Sequence, residues 1–216
     1  QKVINEFNKK KVEEFNNFFK KITPIIQSYV SEKNIDIVLD RKNIFVQKIG
    51  SEQFVQVTQV TDRDLSGFFW ANNERLMYVR DFGGDENFHL FSVTKDGKDE
   101  KDLTPFEGVK VEIIDDLAHD ENHMIIGMNK RIPQVFDPYR LNINSGNLQL
   151  LAENPGNISS WMTDHAGKLR IAVATDGVNN SIQYRASEAD AFKTILTTNF
   201  KESVAPLYFD FDNQNI

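Results

Sequence analysis

A mainly β fold, entered through one amphipathic helix, follows from three features of this sequence. Apolar residues recur at helical spacing only near the start of the chain. Short β-branched or aromatic runs, separated by clusters of Asn, Asp and Gly, fill the rest. Those runs repeat with a period of about 45 to 50 residues.

The helix comes first. Val12, Phe15, Phe19, Ile22, Ile26 and Tyr29 step by alternating threes and fours, which places them in one seam of a coiled-coil or bundle helix, widened by Phe18 and Ile25. These six positions are the candidates for an oligomer seam. Lys9, Lys10, Lys11, Glu13, Glu14, Asn16, Asn17, Lys20 and Lys21 make the opposite, solvated face. Pro24 lacks an N–H and clashes with the preceding turn, so a kink is expected near residues 20–24, and Asn34 suits a left-handed cap that ends the helix. A strand at 35–39, a turn at Asp40-Arg41-Lys42-Asn43 and a returning strand at 44–46 form a short hairpin.

Beyond residue 47 the helical period disappears. Strands are expected at 54–57, 67–71, 76–80, 89–93, 111–114, 124–128, 139–143, 148–152, 160–163, 169–174, 182–185 and 194–197, with a single helical turn at 188–192. Trp70 and Trp161 open similar segments 91 residues apart, and the unit from Ile114 to Ile126 falls between them. Gly97 in Lys95-Asp96-Gly97 and Gly146 in Asn144-Ser145-Gly146 mark turns between the third and fourth strands of successive units, 49 residues apart. Four strands per unit at this period describe propeller blades rather than a solenoid or an immunoglobulin sandwich. The sequence therefore predicts an incomplete β-propeller of about three four-stranded blades plus partial blades. Propellers close with 4 to 8 blades, so the ring is expected either to be closed by a missing part of a longer chain or to leave a marginal, aggregation-prone fragment.

Composition narrows the function classes. The chain has 216 residues with 25 basic and 32 acidic side chains, a net charge of −7, which argues against a concentrated basic footprint for nucleic acid and against charge-held membrane binding. Forty per cent hydrophobic and 11% aromatic residues supply a packed core. With no cysteine there are no disulfides, thiolate metal sites or cysteine nucleophile. No apolar stretch is long enough for a transmembrane helix. The chain starts at Gln1 with no basic-then-apolar signal pattern, which reads as a mature product or a fragment.

The motifs that imitate chemistry read better as turns. Asp81-Phe82-Gly83 lacks the glycine-rich loop and catalytic loop of a kinase, and Gly83-Gly84-Asp85-Glu86 lacks the α/β domain of a nucleotide cyclase. His119-Asp120-Glu121-Asn122-His123 lacks the Glu directly after the first His that the helical zinc motif needs, and reads as a surface hairpin. Asp210-Phe211-Asp212-Asn213-Gln214 begins like a calcium loop but lacks the glycine and the bidentate Glu that follow. Asn157-Ile158-Ser159 and Asn179-Asn180-Ser181 match glycosylation acceptors, which matter only in a eukaryotic secretory host. No Gly-x-Ser-x-Gly elbow exists, and none of His89, His119, His123 and His165 lies near a serine in such a setting. No catalytic, cofactor-binding or metal-binding residue is assigned.

Two stretches carry resemblances. Asp81-Phe82-Gly83-Gly84-Asp85-Glu86-Asn87-Phe88-His89-Leu90, Asp102-Leu103-Thr104-Pro105-Phe106, Asn129-Lys130-Arg131, Phe136-Asp137-Pro138-Tyr139-Arg140 and Glu153-Asn154-Pro155-Gly156 occur in order. This set, over about residues 50–216, resembles the non-catalytic β-propeller of the prolyl oligopeptidase family of serine peptidases. The resemblance implies a propeller that precedes an α/β-hydrolase domain, caps its active site and admits short peptides. The hydrolase domain, which carries the Ser, Asp and His, is not in this sequence. Ile22-Thr23-Pro24-Ile25-Ile26, Val30-Ser31-Glu32-Lys33-Asn34 and the segment from Ile35 to Ile44 are similar to the C-terminal part of the Skp/OmpH family of trimeric periplasmic chaperones.

The expected organisation is thus a chimera: residues 1–46 as a chaperone-like helix and hairpin, and residues 47–216 as a partial peptidase propeller. A natural fusion, an engineered join and a join made in sequence assembly all remain open. The leading function is substrate gating and support of an absent hydrolase domain, with proteolysis in the full-length parent. The alternative is an oligomeric chaperone or scaffold that binds unfolded outer-membrane proteins through the N-terminal helix. Expected partners are the missing hydrolase domain or the rest of the propeller, a second copy through the helix seam, and peptides in the parent; nucleic acid and cofactors are not expected. Compartment stays open, with a bacterial periplasmic or secreted setting favoured over the cytoplasm.

Overall fold

The computed structural model describes Lys21, Pro24, the backbone of residues 37–39, and residues 42–202 and 204–216. The seam positions Val12, Phe15, Phe19, Ile22, Ile26 and Tyr29 lie outside the described residues.

Among the described residues, four antiparallel sheets follow one another in sequence, each a meander in which every strand pairs with its neighbour. The first has three strands, β1 (Ile37–Leu39), β2 (Ile44–Gln47) and β3 (Phe54–Gln56). The second holds β4 (Gly67–Trp70), β5 (Arg75–Arg80), β6 (His89–Thr94) and β7 (Lys101–Asp102). The third holds β8 (Val111–Asp115), β9 (His123–Ile132), β10 (Val135–Asn142) and β11 (Leu148–Leu150). The fourth holds β12 (Ile158–Thr163), β13 (Leu169–Thr175), β14 (Asn180–Tyr184) and β15 (Lys193–Thr198). The first strands of the third and fourth sheets, β8 and β12, lie close together, so β11 and β15 take the outer edges.

Three details depart from the sequence reading. β7 is a strand of two charged residues, fixed by its pairing of Lys101 with Ser92 and Asp102 with Phe91 rather than by its own apolar pattern. β9 and β10 run on through Asn129-Lys130-Arg131 and Phe136-Asp137-Pro138 to form one long hairpin with a bulge between Val135 and Asp137. Residues 188–192 form no helix: the Asp190 N–H donates to the carbonyl of Ser187, closing a single turn, and the Arg185 guanidinium donates to the carbonyl of Glu188.

The sheets stack face to face, and side-chain alternation distributes each strand between two cores. On β5, Leu76 and Tyr78 turn toward the first sheet, where they meet Ile44, Val57, Phe91 and Val93. Met77 lies on the opposite face with Leu90, Leu103, Met124, Ile126, Met128 and Leu141, the core between the second and third sheets. From β9, Ile125 points the other way and joins Leu117, Leu151 and Leu169 against the fourth sheet. Phe209 from the C-terminal segment then packs on Ile171 and Ile182. Each buried side chain of this size contributes about 1.5–3 kcal/mol, and strands apolar on both faces are what stacked blades require.

One backbone frame repeats through these sheets. Gly50, Gly97 and Gly146 stand between the last two strands of the first three sheets, with φ of +80°, +75° and +80°. At Gly97 the need for glycine is double, because a Cβ would lie 2.9 Å from the carbonyl oxygen of Gln56. A latch recurs as well. The Ile44 N–H donates to the Thr58 hydroxyl (2.8 Å) and its carbonyl accepts from Val57 (2.9 Å). Leu90 does the same with Thr104 (2.9 Å) and Leu103 (2.8 Å). In the third sheet Pro138 accepts from Leu151 (2.9 Å) but has no N–H to place, and Ala152 stands where the other two sheets carry threonine. The division expected between residues 46 and 47 therefore falls inside β2, which pairs with β1 on one side and β3 on the other and commits Ile44 to the first inter-sheet core.

Candidate functional site

In a four-stranded meander the loops joining strands one to two and three to four share one end of the sheet. At that end, between the third and fourth sheets, lies a cleft of about 690 Å³. Residues 116–122, which join β8 to β9, make one wall, and residues 164–167 of the turn from β12 to β13 make the other. Arg140, Met162 and Thr163 line it between these walls, and Leu207, Tyr208 and Phe209 form a lip.

Both walls are shaped by carboxylates that accept backbone N–H groups. Asp115 receives the amide of Leu117 at 2.8 Å, and the hydroxyl of Thr163 from the neighbouring sheet. Leu117 sits at φ +52°, a costly conformation for a leucine, and is buried with its methyl group against Gly167. A Cβ at Gly167, itself at φ +69°, would lie 2.7 Å from that methyl group, so any larger residue at 167 would be strained in its backbone and would push the Leu117 side chain aside. Asp120 receives the amides of Asn122 (2.9 Å) and His123 (3.1 Å) and the His123 ring. Burial acts to raise the Asp120 pKa, but these hydrogen bonds outweigh it and hold the carboxyl below its ordinary value. Asp164 is buried and accepts from Ala166 (3.0 Å), Lys168 (2.9 Å) and the Arg170 guanidinium (2.8 Å).

Arg140 ties the sheets together beneath the cleft, donating to the carbonyl of Gly167 and the carboxylate of Glu188, both at 2.9 Å. His165 fastens the lip: its amide donates to Asn213 (2.9 Å), its ring Nε2–H to the carbonyl of Phe209 (2.9 Å), and the ring stacks on Phe211. Asp115, Asp116, Asp120, Glu121 and Asp164 give the cleft an acidic lining against Arg140. Such a site favours cationic and hydrogen-bond-donating groups. Its lining contains no serine or cysteine; the hydroxyls it presents are those of Thr163, engaged by Asp115, and Tyr208 in the lip.

The remaining marked residues lie elsewhere. Asp81 is buried at the opposite end, gripped by Arg63 (3.1 Å) and the amide of Glu86 (3.2 Å), and its Phe82-Gly83-Gly84 continuation is a turn. Asp137 is likewise buried, held by Arg131 at 2.8 Å through two nitrogens and by the amide of Asn154 at 2.7 Å. His89 meets Asp102 at 2.8 Å. The Asp210 carboxylate folds back onto the amides of Gln214 (2.8 Å) and Asn215 (3.1 Å). The sequence reading assigned none of the cleft residues to a site; Arg140 stood there only in the motif Phe136-Asp137-Pro138-Tyr139-Arg140, and Leu117, Asp164 and Gly167 carried no site reading. Thr163-Asp164-His165-Ala166-Gly167-Lys168, an Asp-led turn closed by glycine, is the one local signal of them.

The stacked four-stranded meanders define the class: this is part of a β-propeller. No family model matches the chain. Over 117 residues, 54% of its length, it is 36% identical to dipeptidyl aminopeptidase BIII of Pseudoxanthomonas mexicana, and it spans 17% of that protein. Among solved structures it is similar to an oligogalacturonate lyase in complex with manganese, at 10% identity and a TM-score of 0.47 over 65% of this chain and 38% of that one. It is also similar to TolB from Acinetobacter baumannii, at 14% identity and a TM-score of 0.46 over 77% of this chain and 41% of the other. A putative TolB from Agrobacterium tumefaciens matches at 9% identity and a TM-score of 0.36, over 76% of each chain. Likeness at these TM-scores carries no functional weight.

Proposed function

We propose that this chain is a propeller portion of a prolyl oligopeptidase-type serine peptidase, in which it screens peptides and braces an α/β-hydrolase domain that lies outside the sequence. The observation that carries the reading is the 36% identity to a dipeptidyl aminopeptidase over 117 residues, in a chain whose sheets are propeller blades. On this reading the chain contributes no nucleophile, and its acidic cleft meets cationic or donor groups of peptides. A periplasmic or secreted setting belongs to the same proposal. The test is the genomic reading frame beyond Ile216 together with the purified chain. The frame is expected to continue into a Gly-x-Ser-x-Gly elbow followed by Asp and His, and the chain alone to leave dipeptidyl p-nitroanilides intact and a fluorophosphonate unbound. A frame with no such elbow, or fluorophosphonate-sensitive cleavage by the chain alone, overturns it.

The chaperone-like reading of residues 1–46 gains no support from the described residues. The strands Ile37–Leu39 and Ile44–Gln47, which it needs for a trimer body, pair instead within the sheet completed by Phe54–Gln56.

A further inference from the structure

A second, smaller cavity lies between the third and fourth sheets, at the end opposite the cleft. Glu112 of β8 and Trp161 of β12 line it together with Gln134, Phe136, Asn154 and Ser159. Its volume is about 110 Å³, well under the roughly 300–1,000 Å³ of pockets that enclose a whole small molecule, so it suits the head of a single side chain. The Glu112 side chain reaches it by lying across the neighbouring strand. Gly127 pairs with Glu112 in register and has no positive φ that would call for glycine, but a Cβ at 127 would lie 2.8 Å from both Cγ and Oε1 of Glu112. Glycine weakens a strand interior and often marks a close approach, which here is that of a carboxylate. Among the described residues this carboxylate makes no hydrogen bond or ion pair. Glu112 stays open to solvent on one side, yet partial burial pushes its carboxyl above the ordinary value although Lys110 pulls the other way. The Lys110 ammonium sits instead 5.4 Å from the centre of the Phe88 ring, and Arg131 is committed to Asp137 and to the carbonyl of Asn154.

We propose that this cavity binds the guanidinium head of an arginine side chain on a peptide, with Glu112 as its counter-ion and Trp161 as its stacking surface. The other lining groups agree with a cation. Asn154 has both ends of its amide engaged by Phe136, Gly156 and Ile158, which makes it a fixed wall. Ser159 gives its hydroxyl proton to the carbonyl of Val173 and keeps its lone pairs as acceptors. A planar guanidinium meets a carboxylate through two parallel N–H···O bonds, stacks on aromatic rings, and is more weakly hydrated than a compact ammonium. A calcium or magnesium ion would need about six oxygen ligands, and no group of three or more ligating side chains exists among the described residues. An anion would meet an unpaired carboxylate. All of these groups belong to this chain, so binding here requires no hydrolase domain.

Fluorescence tests the site directly. The chain has two tryptophans, so Trp70→Phe leaves Trp161 as the single indole reporter. In that parent the terminally blocked peptide acetyl-Ala-Arg-Ala-amide should change the Trp161 emission saturably, with a Kd on the order of millimolar. Replacing its arginine by citrulline, the neutral isostere, should abolish the response, and lysine should weaken binding about fivefold. Glu112→Gln should weaken binding about tenfold through loss of the charge-assisted pair. Gly127→Ala tests the geometry: the added Cβ pushes the Glu112 side chain off the strand without straining the backbone, so the response should be lost while far-UV circular dichroism stays that of the parent. If Gly127→Ala fails to fold, Glu112→Gln, at a residue open to solvent, remains decisive. No saturable change at concentrations up to roughly fiftyfold above millimolar overturns the proposal. So do equal responses to the arginine and citrulline peptides, or Glu112→Gln binding as tightly as the parent.

Discussion

Thr104 offers the sharpest test of the repeated frame. The residue is 1% exposed, and its hydroxyl accepts the buried amide of Leu90 at 2.9 Å. Thr104→Val keeps the shape and opens no cavity, so the main loss is one buried N–H left without an acceptor, a cost of about 1–3 kcal/mol. For a chain of this size that corresponds to a fall in Tm of roughly 2 to 12 °C, read by circular dichroism during heating and checked as a shift of the urea midpoint. Thr58→Val should cost the same, because Thr58 holds the Ile44 amide in the same way at 2.8 Å. Ala152→Thr supplies the internal control. Its latch partner is Pro138, which has no N–H to receive, and Ala152 itself packs against the core of Leu117, Ile125, Leu151 and Leu169, so the added hydroxyl should bring no stabilisation. If both valine variants melt with wild type, or if Ala152→Thr stabilises as much as the valines destabilise, the latch is not what joins these strands.

Two further outcomes follow from the geometry. Gly97→Ala should destabilise by more than Gly146→Ala in the same unfolding assay: both pay for φ near +75° to +80°, about 1 kcal/mol, but only Gly97 would press a Cβ to 2.9 Å from a backbone oxygen, while the nearest atom at Gly146 is a leucine methyl at 3.7 Å. Equal losses would refute the close approach. Asp96 and Asp210 are each pulled down to about 2, Asp96 by the Thr94 hydroxyl and Lys98, Asp210 by the side chain and amide of Asn215. Because folding lowers these pKa values, the turns they hold are fully formed above the ordinary carboxylate range near 4 and are lost as pH falls from about 4 toward 2. Carboxyl-carbon NMR titration should place both midpoints below 3, and midpoints near 4 would show that the hydrogen bonds do not form.

Most of the strands are legible in the sequence because a sheet buried on both faces writes itself as compact apolar runs, and because glycine punctuates the turns. Leu76, Met77 and Tyr78 form such a run, and each residue goes to a core. β7 is not legible, since Lys101-Asp102 has no apolar signal and becomes a strand only through the neighbour it pairs with. The start of the repeat is obscured for a different reason. Lys48-Ile49-Gly50-Ser51 has the same turn glycine as Lys95-Asp96-Gly97-Lys98, 47 residues earlier, but the resemblance of residues 35–44 to a chaperone hairpin draws that stretch into another frame. The cleft is hidden because its walls are polar loops without period. The contacts that place them, Arg140 on Gly167 and Thr163 on Asp115, join residues 27 and 48 apart.

The central structural claim is that Ile44–Gln47 and everything after it belong to one run of stacked propeller blades. Amide hydrogen exchange at Ile44 tests it most directly, because that N–H lies on the N-terminal side of residue 47 and yet donates to Thr58 beyond it. The Ile44 amide is expected to exchange as slowly as the equivalent Leu90 amide, and both should lose protection together in Thr58→Val. An Ile44 amide that exchanges at the rate of an exposed turn while Leu90 stays protected would contradict it.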